Sequence, residues 1–224
     1  VPMQLNLKKK KILKSISAKN ILMLLNSELL YNLRLRHQPM CGQILEDYNL
    51  WKSFINNLDN KIRNNLIIRP HPSHDSWNLI KKCNEDFGEN YISKKSFLKD
   101  DTNRAKIIVD THIQSPFFEN MKTGIPMITL FNRSILNMDN KISNIFDIFL
   151  DNKIIVQNPI EASKHIKNIW ENPLEWWNNK KTVYARDLFT EFCSMETKNN
   201  LIYWKNILQN QINNNFLHNQ NRNI

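Results

Sequence analysis

Two short stretches of this chain carry side chains suited to handling an anion. In the first, Arg69, Pro70, His71 and Pro72 follow the apolar run Leu66, Ile67 and Ile68. Arg69 offers a planar fork of donors matched to phosphate. His71 offers an imidazole that donates to a phosphate oxygen or titrates near neutrality. The flanking prolines fix the turn and so hold the ring. In the second stretch, Thr111, Gln114 and Ser115 stand between an apolar run and a helix start, with Glu119 one turn further on. Exposed N–H groups and the helix dipole favour an anion there, and a carboxylate so placed can accept a pair of ribose hydroxyls. Together the stretches look like a site for a phosphate and a sugar ring, as in a nucleotide.

Each stretch also has a plainer explanation. Arg69 to Pro72 could be a rigid strand-end turn whose His71 bonds a carbonyl. Ser115 suits a helix cap, and Glu119 complements the dipole. Neither accounts for the donor-rich loop Thr111, His112, Ile113, Gln114. His74 and Asp75 read as solvated loop.

The elements that must position these residues follow from periodicity. Continuous apolar runs at residues 20–26, 65–69, 105–111, 125–131 and 153–156 predict strands buried on both faces, as in parallel sheets. Residues 91–93 predict a further short strand. An apolar stripe over 42–63, led by Ile44, Tyr48, Trp51, Phe54 and Ile55, predicts a helix. So do residues 77–87, stopped by Gly88, and 115–122, stopped by Gly124. Helices are also expected at 159–170, 173–192 and 197–213. Strands alternating with helices give an α/β, doubly wound, mostly parallel Rossmann-like sheet. Ligands bind at the carboxyl ends of the strands in such sheets. The expected organisation is a basic linker or edge at 1–15 and a Rossmann-like, ligand-binding domain at 16–170. A helical extension at 171–215 and a frayed tail at 216–224 follow.

Composition narrows the class. The 224 residues hold 41% hydrophobic and 23% charged side chains, enough for a sizeable core. Cys41, Cys83 and Cys193 are widely spaced, with no CxxC pair or Cys/His cluster, so no disulfide framework or metal site is expected. A cytoplasmic compartment fits. Only 3 glycines are present; no P-loop, GxGxxG, HExxH or nucleophile elbow occurs, and a glycine-cradled dinucleotide is not expected. The net charge of +10 suits anionic substrates, anionic lipid or nucleic acid. The lysine run at 8–11 reads as solvated, yet gains roughly 1 kcal/mol per lysine near an anionic membrane. Trp170, Trp176 and Trp177 around Pro173 read as anchors for the C-terminal helices rather than sugar platforms. The start at Val1 suggests a fragment.

At these residues the chain resembles the C-terminal, donor-binding half of GT-B type glycosyltransferases, closest to a bacterial family of surface-carbohydrate transferases. The likeness runs from Arg36, His37, Gln38 and Pro39 with Gly42, Gln43 and Tyr48, through the Ile-Arg-Pro-His-Pro turn, to Phe118 and Glu119 with Gly124, Ile125 and Pro126. It continues into Ala162, His165, Ile166, Ile169, Trp170, Trp176, Trp177, Ala185, Arg186 and Phe189. The His-Pro turn is similar to one that sialyltransferases and capsule sugar transferases use on the phosphate of a CMP-sugar.

The resemblance implies phosphate binding by Arg69, His71 and Ser115 and ribose binding by Glu119, with Thr111 and Gln114 in the site loop. It implies a nucleotide-sugar donor, a glycan or glycolipid acceptor, and no cofactor, metal or nucleic acid. The catalytic base of such enzymes usually lies in the acceptor-binding half, so this chain is expected to lack it. Two alternatives stand beside it. One is a UDP-sugar 2-epimerase of the same fold, disfavoured because Phe131, Asn132, Arg133 and Ser134 have no nearby Glu. The other is a basic, non-catalytic module for anionic surfaces or nucleic acid.

Overall fold

The computed structural model describes residues 18–26, 41–71, 77–113, 115–132, 140–193 and 200–220. The lysine run at 8–11, the stretch 36–39, His74, Asp75 and Gln114 lie outside them.

Five strands form one parallel sheet among the described residues, in the order β2-β1-β3-β4-β5. They are β1 (Asn20–Leu24), β2 (Leu66–Arg69), β3 (Ala105–Asp110), β4 (Met127–Leu130) and β5 (Ile155–Val156). Each coincides with an apolar run, because a sheet covered on both faces leaves no position for water-seeking side chains. Ile21, Met23, Ile68, Ile107, Val109, Ile128 and Leu130 share one core cluster with Trp51, Phe54, Leu79 and Ile166. The alternate positions Leu22, Ile108 and Met127 are equally buried. The buried rings Phe117, Phe146 and Phe149 lie outside that cluster and pack edge to face, with centroids 6.0 Å apart in each of the pairs Phe117–Phe149 and Phe146–Phe149. The fold is α/β with helices on both sides, as expected.

The chain reverses direction across the sheet between β1 and β3. It runs from β1 to its neighbour β2, and then out to a single parallel bridge, Ile68 to Ile92, beyond β2. Ser93 N–H donates to the Ile68 carbonyl at 2.8 Å. The short strand expected at 91–93 thus shrinks to one bridge, because Tyr91 closes a 3-10 turn over Glu89–Tyr91. From there the chain returns past β1 to β3 on its other side. That reversal opens a crevice at the carboxyl ends of β1 and β3, the place where doubly wound sheets take ligands.

The helices are α1 (Cys41–Asn56), α2 (Asn60–Arg63), α3 (Leu79–Phe87), α4 (Leu98–Thr102), α5 (Ser115–Thr123), α6 (Asn140–Asp151), α7 (Pro159–Ile169), α8 (Pro173–Trp177), α9 (Lys180–Cys193) and α10 (Asn200–Gln220). The stripe expected to be one helix over 42–63 breaks in two, because Asp59 leaves the helix and its carboxylate accepts from Lys61 N–H at 3.0 Å. The helix expected over 173–192 likewise divides at Asn178 and Asn179, and Asn179 accepts from Lys181 N–H. Gly88, at φ +101°, ends α3 in a backbone region that side chains with a Cβ avoid. α4 and α6 were not anticipated.

The chain divides within α9. One compact unit holds the sheet and its helices through Asp187; the second takes in the chain from Leu188 onward. In the first, Trp177 is fully buried, with the Arg186 guanidinium 4.3 Å from its ring centre. Trp176 lies edge-on to His165 at 4.9 Å and donates from Nε1 to the Asn152 carbonyl at 3.2 Å. These tryptophans anchor helices, as their spacing around Pro173 suggested. In the second unit, α10 exposes Leu201, Ile202, Leu208 and Ile212. No described helix is long and apolar enough to cross a membrane.

Candidate functional site

The crevice is assembled from the ends of neighbouring strands. After β1, Leu25 N–H donates to the Arg69 carbonyl at 3.0 Å, which carries the β1–β2 ladder to the rim. On the other side, Thr111 Oγ1 donates to the Leu24 carbonyl at 2.8 Å and accepts from Asn26 N–H at 3.0 Å. Thr111 is buried and both its hydroxyl functions are used. Its role is a latch across the crevice floor, between residues 85 and 87 positions away in sequence.

One residue earlier, Asp110 is the last position of β3. Its Oδ1 accepts from Thr111 N–H at 2.9 Å and from His112 N–H at 3.4 Å. Its Oδ2 is buried and has no partner. Thr129, its register partner on β4, also buries a side-chain oxygen with no partner. Burial pushes the Asp110 carboxyl up to about 7; the two amide bonds oppose this but do not outweigh it. His112 is buried beside it and packs edge-on to Phe131 at 5.8 Å. Desolvation holds its imidazole below the usual histidine range.

The loop 111–113 feeds into α5. Phe117 and Met121 fix that helix in the core. Ser115 and Glu119, at i and i+4, therefore share a face away from it. Ser115 is exposed and Glu119 half-buried. The first turn of α5 points its N–H groups toward the rim, where a helix start favours an anion.

His71 is exposed two residues beyond the end of β2. Its strand is separated from β3 by β1. With strands about 4.8 Å apart, the two strand ends lie roughly 10 Å from each other. A ligand touching both His71 and Ser115 must span the end of β1.

Arg69 is placed differently from the expectation of a phosphate-facing fork. Its Nη1 donates to Asp101 at 2.6 Å, to the Lys95 carbonyl at 2.9 Å and to Ser93 Oγ at 3.2 Å, and Nη2 donates to the Ser96 carbonyl at 3.1 Å. Ser93 Oγ also donates to Asp101 at 2.5 Å. Arg69 and Asp101 are both buried. The guanidinium clamps the returning segment 93–101 to the end of β2, and its charge is met by a carboxylate before any ligand arrives.

Sequence reasoning passed over Asp110 and named His112 only as part of the donor-rich loop. The signal was faint: Asp110 is an acidic residue closing an apolar run, next to the donor-rich loop. A separate cavity of about 250 Å³ opens beside β5 and the start of α7, lined by Lys153, Val156, Asn158 and Glu161 among others. None of Arg69, His71, Asp110, Thr111, Ser115 and Glu119 lines it. No described group of three or more His, Cys, Asp or Glu could hold a metal ion.

The chain matches the model of the LIC12162 family transferases over residues 1–208. It belongs to that family. No curated protein matches it.

Proposed function

We propose that this transferase is the donor-binding part of a GT-B type glycosyltransferase. It would move a sugar from a nucleotide-activated donor to a surface polysaccharide or glycolipid acceptor. One observation carries the reading: α5 begins five residues after β3 ends, next to the β1–β3 switch point, with Ser115 exposed and Glu119 half-buried one turn on. Phosphate at the helix start and ribose on Glu119 would fit that face, and His71 would complete the site from the end of β2.

In the reaction, the bond between the sugar's anomeric carbon and the donor phosphate oxygen breaks, and its electron pair leaves with the phosphate. The N–H groups of α5, the Ser115 hydroxyl and the His71 imidazole stabilise that growing charge. The acceptor oxygen forms the new bond and gives its proton to a base. As in the enzymes this chain resembles, that base would come from an acceptor-binding part. No metal is required. Arg69 contributes by holding segment 93–101 and the end of β2, not by touching phosphate. The reading places the protein in the cytoplasm, with the lysine-rich stretch available to anionic lipid.

The test is a thermal-shift panel of CMP, CDP, UMP, UDP, GDP and ADP on the chain, with His71→Ala and Glu119→Ala in parallel. A ligand that binds only the folded state raises Tm by mass action. A rise from one nucleotide, reduced in both variants, is the expected result. Equal rises in all three proteins would overturn the placement of the site, and no rise from any nucleotide would remove the donor-binding reading.

A further inference from the structure

The cavity beside β5 has no part in the crevice. It measures about 250 Å³, below the roughly 300–1,000 Å³ typical of sites for drug-sized ligands. Its wall joins the end of α6, strand β5 and the first turn of α7. Leu150 and Val156 make part of that wall apolar, and Lys153, Asn158 and Glu161 bring polar groups to it.

Lys153 is held at this cavity by a backbone that costs free energy. α6 closes with the paired bonds of a Schellman cap: Ile154 N–H donates to the Phe149 carbonyl at 2.9 Å, and Lys153 N–H to the Leu150 carbonyl at 3.0 Å. The cap puts Lys153 at φ +58°. Glycine is the usual residue there, because a Cβ is strained in that region. Among the described residues only Asn78 shares a positive φ without being glycine, and asparagine tolerates it. A lysine standing where glycine would be easier is strain of the kind that gathers at ligand sites.

The charges at the cavity are also unanswered. Lys153 and Glu161 both line it, yet neither forms an ion pair with a described residue. The Lys153 ammonium is close enough to His165, one turn beyond Glu161 on α7, to oppose its protonation, so it stands toward α7. The helix start itself is not the attraction. Asn158 Oδ1 already accepts from the N–H groups of Ile160 and Glu161, at 2.9 and 3.2 Å. An ammonium and a carboxylate thus face one small cavity with apolar wall beside them.

We propose that this cavity binds a small aliphatic α-amino acid. Its carboxylate meets the Lys153 ammonium, its ammonium meets the Glu161 carboxylate, and its side chain packs on Leu150 and Val156. A ligand with a single charge would leave one of the two residues without its complement. A neutral sugar would use neither charge, and no aromatic side chain lines the cavity to stack on its ring. The proposal is independent of the donor-binding reading, because the two sites share no residue.

The experiment titrates the whole chain, isotope-labelled, with L-leucine and follows the amide signals of Lys153, Val156 and Glu161. Two probes divide the charges of leucine: isocaproate lacks the ammonium, and isoamylamine lacks the carboxylate. Leucine should shift these amides, and each probe should bind about tenfold more weakly, the loss of one charge-assisted contact. Phosphoethanolamine, a zwitterion without an aliphatic branch, should also bind more weakly than leucine. Glu161→Gln should weaken leucine about tenfold. Lys153→Gly should weaken it as much while its unfolding midpoint is no lower than that of the native protein, since glycine relieves the cap. A lysine kept only for structure would show the reverse, a lower midpoint with unchanged binding. Amides that leucine leaves unmoved, equal binding of leucine and its two single-charge probes, tighter binding of phosphoethanolamine, or native affinity in Lys153→Gly would each overturn the proposal. The nucleotide panel has no bearing on these outcomes, so either reading can fail without the other.

Discussion

Arg69 at the end of β2 and Asp110 at the end of β3 occupy one row of the sheet, each registered with Leu24 between them. Both are shielded from water, at 7% and 4% exposure. Their chemistry is opposite in more than sign. Arg69 meets a carboxylate, a hydroxyl and two carbonyls. Asp110 meets two amides with one oxygen and nothing with the other. A charge that is fully answered inside the protein is framework, whereas one left half-answered is a group whose state can change with conditions or ligand. The sequence motif around Arg69 is the more conspicuous of the two, yet the unmet chemistry lies at Asp110.

The largest test of that contrast removes the Arg69 partner. Asp101→Ala leaves a buried guanidinium without its carboxylate, and breaking such a pair costs about 3–5 kcal/mol. Chemical denaturation at neutral pH measures it. A loss under about 1 kcal/mol would show that water or the remaining carbonyls replace Asp101, and Arg69 would then be free enough to serve a ligand.

The matching change at Asp110 should act in the other direction. Its carboxyl is raised from 3.8 to about 7, so between those values the folded protein keeps a proton that the unfolded chain has released. Stability from this group is therefore complete below about pH 4 and is lost as pH rises through 7, by at most about 4 kcal/mol. Asp110→Asn removes that loss and should be about 2–4 kcal/mol more stable than the native protein near pH 8. His165 carries the opposite slope. Burial first, and Lys153 second, lower it to about 4, so its contribution is complete above about pH 6.5 and is lost as pH falls through 4. The two slopes oppose each other between about pH 4 and 6.5. In Asp110→Asn the slopes of the two depressed histidines, His165 and His112, should remain without the opposing term, and stability should rise with pH across that window. Stability curves that run parallel in the two proteins would mean that Asp110 is ionised throughout.

Much of the frame was legible because buried strands advertise themselves. The runs ending at Leu24, Arg69, Asp110 and Leu130 have no other stable use in a soluble sheet. The helix α6 escaped notice although Ile142, Ile145, Phe146 and Phe149 recur at helical spacing; with no capping signal read before it, the segment passed as connection. The site was harder. Ser115 and Glu119 could be seen as a helix start, because their meaning is local. Arg69 could not be assigned, since Asp101 is 32 residues away in sequence and only the fold brings it to the guanidinium. Asp110 was harder still: an unmet hydrogen bond is a fact about which partners are missing, and a linear sequence does not state it.

A smaller change tests the crevice floor that separates the two charges. Thr111→Val deletes the hydroxyl that joins Leu24 and Asn26. Two backbone groups lose their partner near the end of β1, and the cost should be about 1–3 kcal/mol by denaturation. Hydrogen exchange should quicken at Asn26, whose N–H is the bonded donor, more than at Leu25, which keeps its bond to Arg69. Unchanged exchange at Asn26 would show that the latch does not hold the rim.

The smallest expected effect on stability belongs to His71, and it sharpens the contrast from the outside. His71 follows Arg69 by two residues but is exposed where Arg69 is buried. Surface substitutions away from caps and special backbone usually change stability by no more than about 0.5 kcal/mol, so His71→Ala should leave the denaturation curve nearly in place. Pro70, just before it, restricts the backbone that leads into the ring. Any loss of nucleotide-induced thermal shift in this variant then reports on binding alone, free of the folding penalty that would cloud the same measurement at Arg69. A stability loss above about 2 kcal/mol would instead place His71 with Arg69 as framework. The rim would then have to receive its ligand from the β3 side, through Ser115, Glu119 and the loop that Asp110 holds.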